Sequence, residues 1–214
     1  MNNLTTGFSL FGNLYLVSDN ISVNNVSNDL FLTAANSSLR VNILTLFNQS
    51  QLNSNNFRTS GAFTGYISEL NTNCAALIQE DGQINLTYDV ISCISNQGTL
   101  TAAFQFISAN NVNTMLKGGQ MTIDNCTVGF ICNSGANVWI KASSMSLSNT
   151  NDGFVVNSNV YITSDTINYS NGNSSLATVQ SGLLQYDVGT ISINSTPTQV
   201  FLIDDPGNMN AVID

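Results

Sequence analysis

Residues Gly129 to Ser170 read GFICNSGANVWIKASSMSLSNTNDGFVVNSNVYITSDTINYS. The stretch says nearly the same thing twice. Val138-Trp139-Ile140, Met145-Ser146-Leu147 and Phe154-Val155-Val156 form one set of short apolar runs. Val160-Tyr161-Ile162, Ile167-Asn168-Tyr169 and, just beyond the stretch, Leu176 to Val179 form the next. Apolar and polar residues alternate with period two, as in a β-strand and not a helix. The runs are rich in Val, Ile, Phe and Tyr, which suit a pleated, half-buried surface. Asn133-Ser134-Gly135 precedes the first set and Asn157-Ser158-Asn159 the second. Gly and Asn tolerate the positive φ of a sharp corner, so these triplets read as turns.

The pattern extends along the whole chain. Apolar doublets begin at Ile21, Val41, Phe63, Ile84, Phe104, Met121, Val138, Val160, Leu183 and Val200, so that a new one starts roughly every twenty positions. Gln180-Ser181-Gly182, Asp81-Gly82 and Gly118-Gly119 are read as the corner that precedes a doublet. A repeat of this length cannot bury its own apolar face and must stack on its neighbours. Two or three short strands with tight turns fill one coil of a parallel β-helix. A β-sandwich accounts for closely spaced short strands but not for the longer period. The expected fold is therefore all-β, a single-stranded parallel β-helix of about ten coils and roughly 45–50 Å. Residues 1–20 are read as an N-terminal cap or first coil, 21–205 as the helix, and 206–214 as a C-terminal tail or cap. An Asn recurring at one corner is expected to stack into a hydrogen-bonded ladder.

The Phe-x-x-Asn copies Phe130 to Asn133 and Phe154 to Asn157, with their Ser/Asn corners and V-x-I strands, resemble the pectin-lyase-like β-helix superfamily. They are also similar to repeats in outer-membrane adhesins. The resemblance implies a right-handed helix. It embraces lyases, hydrolases, phage tailspikes, autotransporter passengers and viral fibres, so it implies no single activity.

Composition narrows the function. The chain has 214 residues, of which 43% are apolar and only 8% charged. Asn alone occurs 33 times, which fits corners and uncharged sheet faces. The net charge is −9, from 13 acids against Arg40, Arg58, Lys117 and Lys141. Too few bases are present to neutralise a phosphate backbone, so nucleic acid is not an expected partner. No apolar run has the length of a membrane span, so membrane insertion is not expected either. The N-terminus lacks the basic region of a signal peptide. The ten N-x-S/T triplets, Asn20, Asn85, Asn125 and Asn194 among them, match chance at this Asn content.

There is no histidine, which removes Ser-His-Asp and Cys-His catalysis. Cys74, Cys93, Cys126 and Cys132 lack zinc-type spacing and read as buried apolar residues, with a cross-coil disulfide as the alternative. What remains is carboxylate chemistry. Counted from the doublets, Asp165, Asp187, Asp204 and Asp205 fall in one column over three successive coils. They read first as solvated turn residues, then as a calcium or structural site, then as the acids of a glycoside hydrolase or lyase. An anionic polysaccharide substrate is disfavoured for them, because Lys117 and Lys141 lie on earlier coils. Asp124 and Lys141 each stand three past a doublet start, which predicts a cross-coil ion pair. Trp139, Tyr161 and Tyr186 are placed at outward or edge positions, where they read as packing or as a stripe that stacks on sugar rings.

These readings lead to a non-enzymatic structural protein: a fibre, spike or adhesin module on a virion or in the extracellular space. Its expected partner is a host receptor or glycan. Low charge on the flanks favours a homotrimer. The alternative function is polysaccharide cleavage by the flank carboxylates. No cofactor is expected, calcium excepted.

Overall fold

The computed structural model describes residues 8–10, 13–24, 31–33, 36–47, 57–73, 75–95, 100–107, 112–133, 135–194, 197–204 and 207–213. Period-two alternation is realised as strand throughout, and the described residues contain no helix. Nine short strands form one sheet: β1 (Phe8–Leu10), β3 (Phe31–Thr33), β5 (Phe57–Thr59), β7 (Leu77–Gln79), β9 (Leu100–Phe106), β11 (Cys126–Cys132), β13 (Asp152–Val156), β15 (Ser175–Val179) and β17 (Phe201–Ile203). Nine longer ones form the other: β2 (Leu14–Asn24), β4 (Ser37–Phe47), β6 (Phe63–Thr72), β8 (Ile84–Ile94), β10 (Val112–Asp124), β12 (Ala136–Ser148), β14 (Asn159–Ser170), β16 (Leu183–Asn194) and β18 (Asn208–Ile213). Every pairing is parallel and joins a strand to the next strand but one. This is a parallel β-helix.

Each coil holds one short and one long strand, giving nine coils where the doublets suggested about ten. The doublets at Phe104 and Met121 lie on β9 and β10, the two strands of a single coil. The true repeat follows from the register. Leu16, Leu39, Gly65, Leu86, Leu116, Ile140, Ile162, Tyr186 and Ala211 stand side by side on successive coils. The coil from Gly65 to Leu86 is the shortest of these and that from Leu86 to Leu116 the longest. At about 4.8 Å between strands, nine coils make a rod of about 40 Å. The segment read as a tail or cap contributes β18, paired to the first half of β16.

The two expected strands Val138–Ile140 and Met145–Leu147 are limbs of one strand, β12. The bend appears in the burial pattern of β8: Ile84, Leu86 and Tyr88 point inward, then Asp89 and Val90 both face outward, and Ile91 and Cys93 point inward again. One extra outward residue turns the chain through a corner while keeping both limbs apolar towards the core. The inner columns are packed side by side. Phe104, Phe130 and Phe154 stack with centroids 4.8 Å apart, at interplanar angles of 11° and 9°. All three are fully buried.

The corners are built as the sequence implies. Asn125, Asn149 and Asn171 end β10, β12 and β14 at φ of 60°, 50° and 54°. Asn is the non-glycine residue that adopts this conformation most readily. Gly82, Gly135 and Gly182 take positive φ just before β8, β12 and β16. Asn157 donates to Asn133 (3.4 Å), Asn159 to Asn137 (3.1 Å) and Asn173 to Asn151 (3.2 Å); these are three separate cross-coil amide pairs at different positions, in place of one continuous ladder at a single corner. Gly118-Gly119 is not a corner. The pair lies within β10, where a Cβ on Gly118 would sit 2.3 Å from the Tyr88 carbonyl oxygen and 2.5 Å from its ring. The inward Tyr88 ring leaves room only for glycine there.

Candidate surface recognition site

The first limb of the long sheet presents three outward columns on β10, β12 and β14. Asn113, Asn137 and Asn159 are in register, then Met115, Trp139 and Tyr161, then Lys117, Lys141 and Thr163. The sequence basis is a five-residue pattern, Asn-x-apolar-x-Lys/Thr. Its intervening residues, Thr114 and Leu116, Val138 and Ile140, Val160 and Ile162, are buried. Their burial fixes the register and therefore the outward side chains, because a slip of one residue would exchange the two faces.

Trp139 and Tyr161 stack with centroids 5.3 Å apart and planes 9° from parallel. Stacking along the coil axis points the ring faces along the rod. Tyr161 covers one face of Trp139, and on its other side Trp139 borders a depression of about 280 Å³ lined also by Met115, Asn113 and Asn85. Beside the rings, Asn159 Nδ2 donates to Asn137 Oδ1, which uses one of the two amide hydrogens of the exposed Asn159. A second depression, of about 360 Å³, lies on the same column nearer the N-terminus, around Tyr15, Ser38 and Thr64.

The cation column continues along the rod. Arg40, Tyr66, Thr87, Lys117, Lys141, Thr163 and Asp187 are in register. The Arg40 guanidinium lies 5.9 Å from the Tyr66 ring centroid, within cation–π range. Tyr66 also donates to Asp89 (2.7 Å), as does Ser68 (2.6 Å). These two hydrogen bonds, Ser68 foremost, hold the Asp89 carboxyl below the usual carboxylate range. Arg58 and Glu80 form an ion pair on β5 and the turn after β7.

Several expected placements change. Tyr186 is fully buried. It aligns with Ile162 and not with Trp139 and Tyr161, because the inward residues of β16 are Leu184, Tyr186 and Val188. Burial pushes its phenol pKa up, and it packs edge-on against Phe154 at 6.0 Å. Asp124 does not meet Lys141. It faces Ser148 and accepts hydrogen bonds from Ser148 Oγ and Asn149 Nδ2, both 2.7 Å, while Lys141 lies beside Lys117.

The acids do not form one column. Asp187 faces Thr163, Asp165 faces the Gly189 backbone two residues further along, and Asp204 follows β17 on the other sheet. All three are exposed, and none lines either depression. Asp205 and Cys74 lie outside the described residues. Among the described residues no group of three or more Cys, Asp or Glu side chains is placed to hold a metal ion.

Cys93, Cys126 and Cys132 are buried. Burial pushes the Cys126 thiol up to about 12 and that of Cys132 higher still, so both behave as small apolar side chains.

Comparison with known proteins finds no matching family model, no similar curated protein and no similar solved structure. The parallel β-helix is therefore established by the structure alone, and no match supports a pectin-lyase-like or viral fibre family. The surface site rests on its own geometry. Sequence reasoning singles out Trp139 and Tyr161 but misses Asn113, Asn137, Asn159, Lys117 and Lys141 as members of the site. The Asn-x-Trp-x-Lys spacing at 137–141, matched by Asn-x-Met-x-Lys at 113–117, is the signal that could have found them.

Proposed function

We propose that this protein is a rigid display module of a fibre, spike or adhesin, at a virion or cell surface, and that its long sheet binds a glycan of a host receptor. The observation that carries the reading is the outward Trp139–Tyr161 stack beside the Asn137–Asn159 amide pair. An aromatic face takes the apolar side of a pyranose, and amides satisfy its hydroxyls. Orientation in such sites comes from a few well-placed polar groups next to aromatic surface. The register holds those groups without loops, so little ordering cost falls on binding.

No observation favours the alternative of glycan cleavage. A hydrolase needs two carboxyls in contrasting environments flanking one bond, whereas Asp165 and Asp187 lie on open sheet. A homotrimer belongs to the same proposal, and mass photometry across concentrations checks it. A glycan array probed with wild-type protein and with Trp139→Ala tests the recognition claim. Binding to a defined set of glycans, lost in the variant, is the expected outcome. An array on which wild type and Trp139→Ala give the same pattern contradicts it.

A further inference from the structure

Lys117 and Lys141 are all the lysine this chain has, and they stand directly opposite one another on β10 and β12. Both are exposed. Like charges opposed across neighbouring strands are destabilising. Among the described residues neither lysine has an ion-pair partner. In a chain of net charge −9, the local sign of this patch is opposite to that of the molecule. The two lysines sit two residues along from Met115 and Trp139, on the same outward face and next to the depression those two residues line.

We infer that the glycan is acidic and lies along the rod axis, with one carboxylate or sulfate held between Lys117 and Lys141. The inference rests on the reading of the Trp139 face as a glycan site and adds the charge of the ligand. The geometry gives the direction. Successive coils advance by about 4.8 Å, so an extended chain lying across β8, β10 and β12 meets Asn85, Met115 and Trp139 in turn. A bridging anion turns the lysine–lysine repulsion into two charge-assisted hydrogen bonds, which are shorter and stronger than neutral ones.

The acids packed around the patch limit where the charge sits. Asp89 on β8 and Asp165 on β14 are two residues further along, and Asp187 is two strands beyond Lys141 in the same column. Asp89 already accepts from Ser68 and Tyr66, turned away from β10 towards β6. Asp187 repels an anion placed beyond β14. The favourable place is therefore over β10 and β12 alone.

The test is calorimetric titration of the full chain with three probes: hyaluronan hexasaccharide, a sulfated heparin-derived hexasaccharide, and neutral cellohexaose. The acidic probes are expected to bind more tightly, with affinity falling as salt rises. Lys117→Gln with Lys141→Gln is expected to remove the preference, about tenfold for each lysine replaced. Both lysines are exposed, so the variant keeps the fold, and its melting temperature checks this. Trp139→Ala is expected to abolish binding of every probe. If cellohexaose binds as tightly as the acidic probes, or the lysine variant keeps the preference, the acidic assignment is overturned while the glycan face stands. If no probe binds the wild type, the face itself is overturned.

Discussion

Two aromatic stacks run along this rod, one inside and one outside. Phe104, Phe130 and Phe154 stack at 4.8 Å within the short sheet and are fully buried. Trp139 and Tyr161 stack at 5.3 Å on the outer face of the long sheet and are half-buried. The same coil spacing builds both, since residues at one register position in successive coils must lie face to face. Their consequences differ because only the first removes its rings from water. The inner stack contributes to stability. The outer one leaves a ring beside a depression and polar side chains around it, a site with no counterpart inside.

The largest expected effect lies in the inner stack. Phe130→Ala removes the middle ring, leaves a cavity between two others, and is expected to cost about 3–5 kcal/mol. Denaturant unfolding checks it through a lower midpoint. Trp139→Ala, in the outer stack, is expected to cost only about 1–2 kcal/mol, the loss of one exposed-face aromatic pair and part of its burial. The same unfolding experiment, run side by side, breaks the comparison if the two costs are equal.

The corners that set both stacks come next. Asn149→Ala places a Cβ-bearing residue without Asn's local bonding at φ of 50° and removes the bond to Asp124. A loss of about 1 kcal/mol is expected, whereas Asn149→Gly keeps the conformation and is expected to cost less. Thermal melts of the two variants check the order. The smallest effect is expected at Tyr186. Its buried hydroxyl has no hydrogen-bond partner among the described residues. Tyr186→Phe is therefore expected to leave stability unchanged or raise it by up to about 1 kcal/mol. A clear loss of stability would show that the hydroxyl is bonded.

What is legible in the sequence follows from what period two reports. Alternation and the Asn/Gly corners disclose strands, coils and parallel stacking, because each depends on neighbouring residues alone. Columns depend on coil length, and that length is uneven: the coil ending at Leu116 is much longer than the one ending at Leu86. Counting from the doublet starts brings Asp165, Asp187 and Asp204 together because Val160 stands opposite Leu184 and not Leu183, and because the Val200 doublet leads into β17 on the other sheet. Starting the β16 doublet at Leu183 instead of Leu184 shifts Tyr186 to the wrong face. Taking Gly118-Gly119 as a corner breaks β10 in two and hides Lys117 from Lys141. The bend at Asp89 and Val90 is invisible for a related reason: an extra outward residue leaves the apolar content of both limbs unchanged.

Trp139 is the only tryptophan in the chain and stands in the outer stack, so its own fluorescence reports on the site. The most direct measurement is a titration of that fluorescence, with acrylamide quenching, against hyaluronan hexasaccharide. A saturable change in emission, with protection from acrylamide that Tyr161→Ala weakens, is the predicted result. Binding detected by calorimetry with no change in Trp139 emission or quenching would place the ligand elsewhere and contradict the account.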